Sequence, residues 1–199
     1  MDYYELIAGS FQETLEHVAL SVDALAQPIE QAGILMTEAL LSDARILACG
    51  NGPDGALAQL FASNLLGCFE QERPALPVMV LGAESTSLTA ISGGGAVEDT
   101  LARPLRALAQ PGDVLLAICS DKPADNLVRA LATAREMNVR VVLLSNPQAH
   151  ELAELLTAQD VDIGVSSENR HRCVEVFTMA IHCFCALIDH GLFGAHELD

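Results

Sequence analysis

Cations are scarce in this chain. Ten Lys and Arg residues stand against 27 Asp and Glu, a formal net charge of −17 at pH 7. A surface for nucleic acid needs clustered cations to neutralise phosphates, and the nearest cluster, "ENRHRC" at 168–173, is too small for that. The acidic excess suits a basic protein partner, and equally suits simple solubility. Long apolar runs are also missing. They are broken by Gly or polar residues well short of the ~20 residues needed to cross a bilayer. The first residues, "MDYYELIAGSFQET", are acidic and carry no basic segment before an apolar stretch, so no signal peptide is expected and the cytoplasm is the expected location. The six cysteines, at 49, 68, 119, 173, 183 and 185, form no CxxC pair, and most read as small buried hydrophobes. Cys183 and Cys185 would point apart on a helix, which speaks against zinc there.

What is present is apolar material. Hydrophobic residues make up 51% of the 199 positions, and the mean hydropathy is +0.32, enough for one sizeable core. Residues 1–44 read as two helices acting as an extension for self-association. Leu6, Phe11, Leu15, Val18, Val22 and Leu25 form one apolar stripe, and Ile29, Ile34, Leu35, Ala39 and Leu40 a second. Gln27-Pro28 is expected to separate them. One core sheet does not need these stripes, and their burial between copies predicts a dimer or tetramer.

From residue 45 to 199 the pattern alternates. Continuous apolar runs at 45–50, 76–82, 112–119, 139–145 and 161–165 predict strands buried on both faces. Helical segments are predicted at 55–68, 98–109, 123–137, 148–157 and 169–190. Such alternation implies an α/β fold with a doubly wound parallel sheet. Ligands of these sheets sit beyond the carboxyl ends of the strands, which directs attention to loops 49–55, 82–88, 92–96, 119–125 and 145–149.

In the first of these, "CGNGPDG", Gly50 and Gly52 permit a tight turn and close backbone approach ahead of a helix N-terminus, an arrangement that suits an anion. Together with "FEQERPALPVMVL", "LRALAQPGDVLLAIC", "ADNLVRALATAREMNVRVVLLS", "QDVDIGV" and "IHCFCALIDHGLFG", it resembles the sugar isomerase (SIS) domain family, in its phosphoheptose isomerase and DnaA initiator-associating branch. The resemblance runs from about residue 5 to 194. It implies a five-stranded parallel α/β sandwich, an N-terminal helical extension, oligomerisation, and a phosphosugar site shared between subunits.

Carried over residue by residue, the resemblance raises a difficulty. Isomerisation of sedoheptulose 7-phosphate moves a proton between adjacent carbons and needs a positioned acid–base pair. The family commonly supplies Glu and His, with His and Gln completing a zinc site. The matching positions here are Asn64 for the Glu, Leu60 for the His and Val174 for the Gln, while His182 is kept as the residual catalytic candidate. A packed, hydrogen-bonded histidine is the alternative reading of His182. No metal or other cofactor is expected. In the phosphate loops, Asp54 stands in place of a Ser, and "CSDKPAD" at 119–125 replaces a hydroxyl-rich loop while keeping Ser120. Carboxylates accept and repel where phosphate needs donors. Lys122 offsets part of that charge, and Pro123 removes an N–H. An N-cap role for Asp54 is the competing explanation. Gly93 and Gly94 replace a sugar-binding Asn-Asp pair, in a loop expected to be mobile.

The sequence therefore predicts a catalytically inactive protein. It would be either an adaptor for a partner such as the replication initiator DnaA, or a binder of a carbohydrate derivative. An active phosphoheptose isomerase is the alternative. Candidate ligand residues are Asn51, Gly52, Asp54, Ser85, Thr86, Ser120, Asp121 and Lys122, and Leu192 with Phe193 is the candidate partner anchor. A helix N-cap would explain Ser85 and Thr86 equally well.

Overall fold

The computed structural model describes residues 3–194. Five parallel strands form its centre: β1 (Ile46–Gly50), β2 (Val78–Val80), β3 (Val114–Ile118), β4 (Arg140–Ser145) and β5 (Val161–Gly164), in the order β2-β1-β3-β4-β5. The predicted strands all form. β2 is the shortest, entered just after Pro77, which has no N–H to give a ladder.

Every residue of β3 is buried, because helices cover both faces of the sheet. One face carries Ile46, Ala48, Leu116, Ile118 and Leu144 into a core shared with α1 (Tyr3–Leu41), α2 (Pro53–Leu66) and α7 (Arg170–Phe193). The other carries Leu47, Leu115, Ala117 and Leu143 against α4 (Asp99–Leu108) and α5 (Asp125–Glu136). The period-2 geometry of a strand sorts alternate residues into these two clusters. α3 (Ser85–Gly93) and α6 (His150–Ala153) complete the helices.

Three differences from the sequence reading have physical causes. α1 is one helix that runs through Pro28, not two. A mid-helix proline costs about 3 kcal/mol, but Leu25 on one side and Ala32, Leu35 and Met36 on the other are all buried in the same core, which holds both halves in line. Gly33 makes this possible. A Cβ there would lie 2.6 Å from Leu187 Cδ1 of α7, so the two helices meet at a glycine. The segment 92–96 is not wholly loop, because α3 extends through Gly93 and is capped at Gly94. The predicted helix at 148–157 is shorter, a 3-10 turn at Pro147–Ala149 followed by α6.

α7 is long and apolar enough, at a mean hydropathy of 1.6, to span a bilayer by length and composition. Its apolarity has a core explanation: Phe177, Ile181, Phe184 and Ile188 are fully buried against the sheet layer, with Phe184 edge-on to Phe61 of α2 at 6.5 Å. Leu192 and Phe193 are the last residues of α7, which runs three residues beyond the predicted end at 190. Leu192 packs on the core, and Phe193 is partly exposed at 44%. Residues 195–199 of the tail lie outside the described residues.

The apolar stripe of α1 is only half used within one copy. Leu25, Leu35 and Ala39 are buried, whereas Leu6, Phe11, Leu15 and Val22 are 57–70% exposed.

Candidate functional site

The strand order reverses between β1 and β3: the chain leaves β1 toward β2 on one side and continues from β3 toward β4 on the other. Loops diverge at such a switch point and leave a crevice at the carboxyl ends of the strands. The β1–α2 loop (51–52) and the β3–α5 loop (119–124) flank it.

The first loop turns on its two glycines. A Cβ on Gly50 would lie 2.6 Å from the backbone of Asp54, and Gly52 has φ of 57°. Gly52, not Asp54, occupies the N-cap of α2, and Pro53 takes the first helical position. Asp54 is thereby placed inside the first turn, 5% exposed, with its carboxylate aimed across the crevice. The hydroxyl of Ser120 donates to Asp54 Oδ1 at 2.5 Å, and the Ser120 amide donates to Oδ2 at 3.1 Å. Asn146 fixes the same loop from below, its Nδ2 donating to the Ser120 carbonyl at 3.0 Å. The N-cap explanation for Asp54 is therefore wrong. Its carboxylate consumes the donors of the opposite loop, as an internal anion. Burial pushes this carboxyl above its ordinary value, against the opposing pull of the Ser120 hydrogen bonds and of Arg170.

Asn51 faces the other way. Its side-chain amide exchanges hydrogen bonds with Asn126 at 2.9 and 3.0 Å, and Asn126 also donates to Thr100 Oγ1 at 3.0 Å. This polar chain ties the first loop to α5 and α4. Thr100 borders a cavity of about 640 Å³ beneath α3, with Glu84, Ser87 and Arg103 also on its wall. Ser85 and Thr86 begin α3 and are exposed. The cap of that helix is Glu84, whose carboxylate accepts from the amides of Thr86 (2.9 Å) and Ser87 (2.6 Å) and is held at about 2 by those bonds. Asp121 accepts from the Lys122 amide at 2.8 Å, and the Lys122 side chain is exposed.

One site residue escaped the sequence reading. Arg170, the first residue of α7, reaches over both loops: its Nη1 is 4.0 Å from Asp121 Oδ2, and its Nη2 is 3.7 Å from where a Gly52 Cβ would sit. Its signal was the "ENRHRC" cluster. Only the fold separates the two arginines. Arg172 is buried and donates to the Ser10 carbonyl at 2.7 Å and to the Thr14 hydroxyl, with Glu13 and Glu175 beside it.

The positions that the resemblance makes catalytic lie elsewhere. Leu60 packs on the core, and the Nδ2 of Asn64 is buried without a hydrogen-bond partner. Val174 also packs on the core. His182 is exposed, its ring 5.5 Å from that of Phe69 and tilted by 35°, which is not the packed, hydrogen-bonded histidine of the alternative reading. The hydrocarbon side chains of Leu60 and Val174 offer zinc no ligand, and the amide of Asn64 with the imidazole of His182 falls short of the three or four protein ligands that zinc takes. Cys183 is exposed and Cys185 buried, so that pair diverges as expected. Burial pushes the Cys49, Cys119 and Cys185 thiols up to about 12, which leaves them unreactive.

Asp54→Ser tests the internal anion. It frees the Ser120 donors and removes a carboxylate from beside the crevice. At an effective dielectric near 20 such a charge a few ångströms from a dianion costs on the order of 1 kcal/mol or more. Inorganic phosphate, titrated by ³¹P NMR, is expected to bind roughly tenfold tighter to the variant. Equal affinities would show that Asp54 does not block the cradle.

Comparison with known proteins gives a consistent result. Residues 10–146 match the SIS domain family. The chain is 41% identical over 194 residues to phosphoheptose isomerase of Alkalilimnicola ehrlichii, spanning 98% of this chain and 99% of that one. It is 38% identical to phosphoheptose isomerase of Chromohalobacter salexigens across 99% of this chain and all of that one. Among solved structures, phosphoheptose isomerase from Neisseria gonorrhoeae superposes with a TM-score of 0.88 at 30% identity, covering 94% of this chain and 98% of that one. The expectation of a non-enzyme is overturned by these full-length relatives, which are enzymes by name. It weighed a few substituted side chains and left out Arg170, a cation that the fold adds to the loops. By sequence and by fold, the chain belongs to the SIS domain family, in its phosphoheptose isomerase branch.

Proposed function

We propose that this protein is a phosphosugar isomerase that shifts the carbonyl of a phosphorylated heptose between adjacent carbons. The observation that carries this reading is the similarity to phosphoheptose isomerases along the entire chain. The crevice supports it, with a glycine turn, a helix N-terminus and an arginine meeting at the switch point. The reaction removes a proton from one carbon and returns it to its neighbour, which one positioned imidazole can do. His182 is the imidazole retained at a catalytic position of the family.

His182 lies twelve residues along α7 from Arg170, about 18 Å at 1.5 Å per residue. One copy does not bring the two together around a single sugar. A second copy, docked through the exposed Phe11, Leu15 and Val22 of α1, supplies the missing half of the site. Purified protein is expected to convert sedoheptulose 7-phosphate to its aldose isomer in proportion to enzyme, with EDTA leaving the rate unchanged. Product formation no faster than without enzyme would remove the reading.

A further inference from the structure

We propose that Arg170 grips the phosphate of the substrate, replacing the hydroxyl-rich loop that this chain has lost. The inference rests on the isomerase reading for its ligand class, a sugar phosphomonoester. It rests on geometry for the residue.

The Ser120 amide and hydroxyl, donors of the β3–α5 loop, are already taken by Asp54. A phosphate entering the crevice must find others. Arg170 has them in place. Its side chain is 38% exposed, and among the described residues Nη1 and Nη2 make no hydrogen bond, so the outer donors of the guanidinium are unspent; Nε, which is buried, also has no partner. Its contact with Asp121, 4.0 Å, is longer than a hydrogen bond and is an ion pair between partly exposed groups. A phosphate oxygen pair can displace that contact and take two parallel N–H···O bonds, which a planar fork is shaped to give. Gly52 keeps the approach open, since its absent side chain would stand 3.7 Å from Nη2. Arg172, two residues on, cannot take this role because it is buried against α1 and held there by the Ser10 carbonyl. The charges facing the bound group would be Asp54 and Asp121 against Arg170 and Lys122. Arg170 lowers the electrostatic cost of an anion at a place the carboxylates otherwise make hostile.

The test uses the full chain with Arg170→Gln and Arg170→Lys. Kd for inorganic phosphate is read by ³¹P NMR, and KM and kcat are read with sedoheptulose 7-phosphate. For the glutamine variant, Kd and KM are expected to rise about 10- to 100-fold, with kcat within about threefold of the parent. The lysine variant should fall between, because it keeps a point charge without the fork. A thermal melt matching the parent would show that the fold is intact. Unchanged Kd and KM in the glutamine variant overturn the proposal while leaving the isomerase reading standing. If the parent turns over no sugar phosphate but its phosphate binding is lost with Arg170, the isomerase reading fails and the grip stands.

Discussion

Replacing His182 with Asn is expected to lower kcat for the sugar phosphate by about 10²- to 10⁴-fold, the range that a positioned acid–base group contributes. KM should move little, because His182 is on the far part of α7 from the β1–α2 and β3–α5 loops. The size of the effect follows from the poverty of the surroundings. Leu60 and Val174 are hydrocarbon and Asn64 has no carboxylate, so no neighbour at the family's catalytic positions can take over the proton. Asn keeps polarity and approximate size, and His182 is exposed and covers only the outer side of the half-buried Phe69, so the fold should survive. A His182→Asn variant with more than a tenth of the parental kcat would place the base elsewhere.

Arg73→Ala is expected to lower stability by about 3–5 kcal/mol, the cost of breaking one partner out of a buried ion pair. Arg73 and Asp189 are joined at 2.9 Å with side chains only 2% and 6% exposed. The same guanidinium donates to the carbonyls of Asn64 (2.8 Å) and Leu65 (2.6 Å) in the last turn of α2, and to those of Gly67 and Pro74 beyond it. It thus supplements the cap of α2, where the Gly67 amide serves only the Ser63 carbonyl and the last turn contains no basic residue of its own. Truncation strands both the Asp189 carboxylate and the helix carbonyls. For a chain of this size the melting temperature should drop by roughly 10 °C, and urea unfolding should give the free-energy change directly. A double change, Arg73→Met with Asp189→Leu, should recover much of the loss because no buried charge is left unpaired. A loss below about 1 kcal/mol for the single variant would mean that water reaches the pair.

The fold was legible because sheets covered on both faces leave a strong mark. Runs such as "VLLAI" and "RVVLLS" are apolar without alternation, and each is a buried strand. α3 left only a faint mark, the N-cap reading of Ser85 and Thr86. "STSLTAISG" has no apolar period and buries no residue, so its definition comes from the Glu84 cap rather than from packing. Pro28 misled for the opposite reason, since local chemistry argued for a break that tertiary packing overrode. At the site, the sequence revealed that carboxylates had entered the loops but not what they do there. The partner of Asp54 is Ser120, 66 residues away, and no local pattern encodes that pairing. Arg170 was hidden in the same way. It reaches the crevice from the first residue of α7, outside the loops that the strand ends had singled out.

The bond from Arg172 to α1 has a mechanical consequence. α1 is about 58 Å long at 1.5 Å per residue, and its outer half exposes Phe11 and Leu15. Ser10 and Thr14, on that same outer stretch, are fastened to Arg172, and Arg172 is two residues from Arg170. The outer half of α1 and the first turn of α7 are therefore fastened to each other, and a neighbouring copy that clamped this half would pull on the turn that carries Arg170.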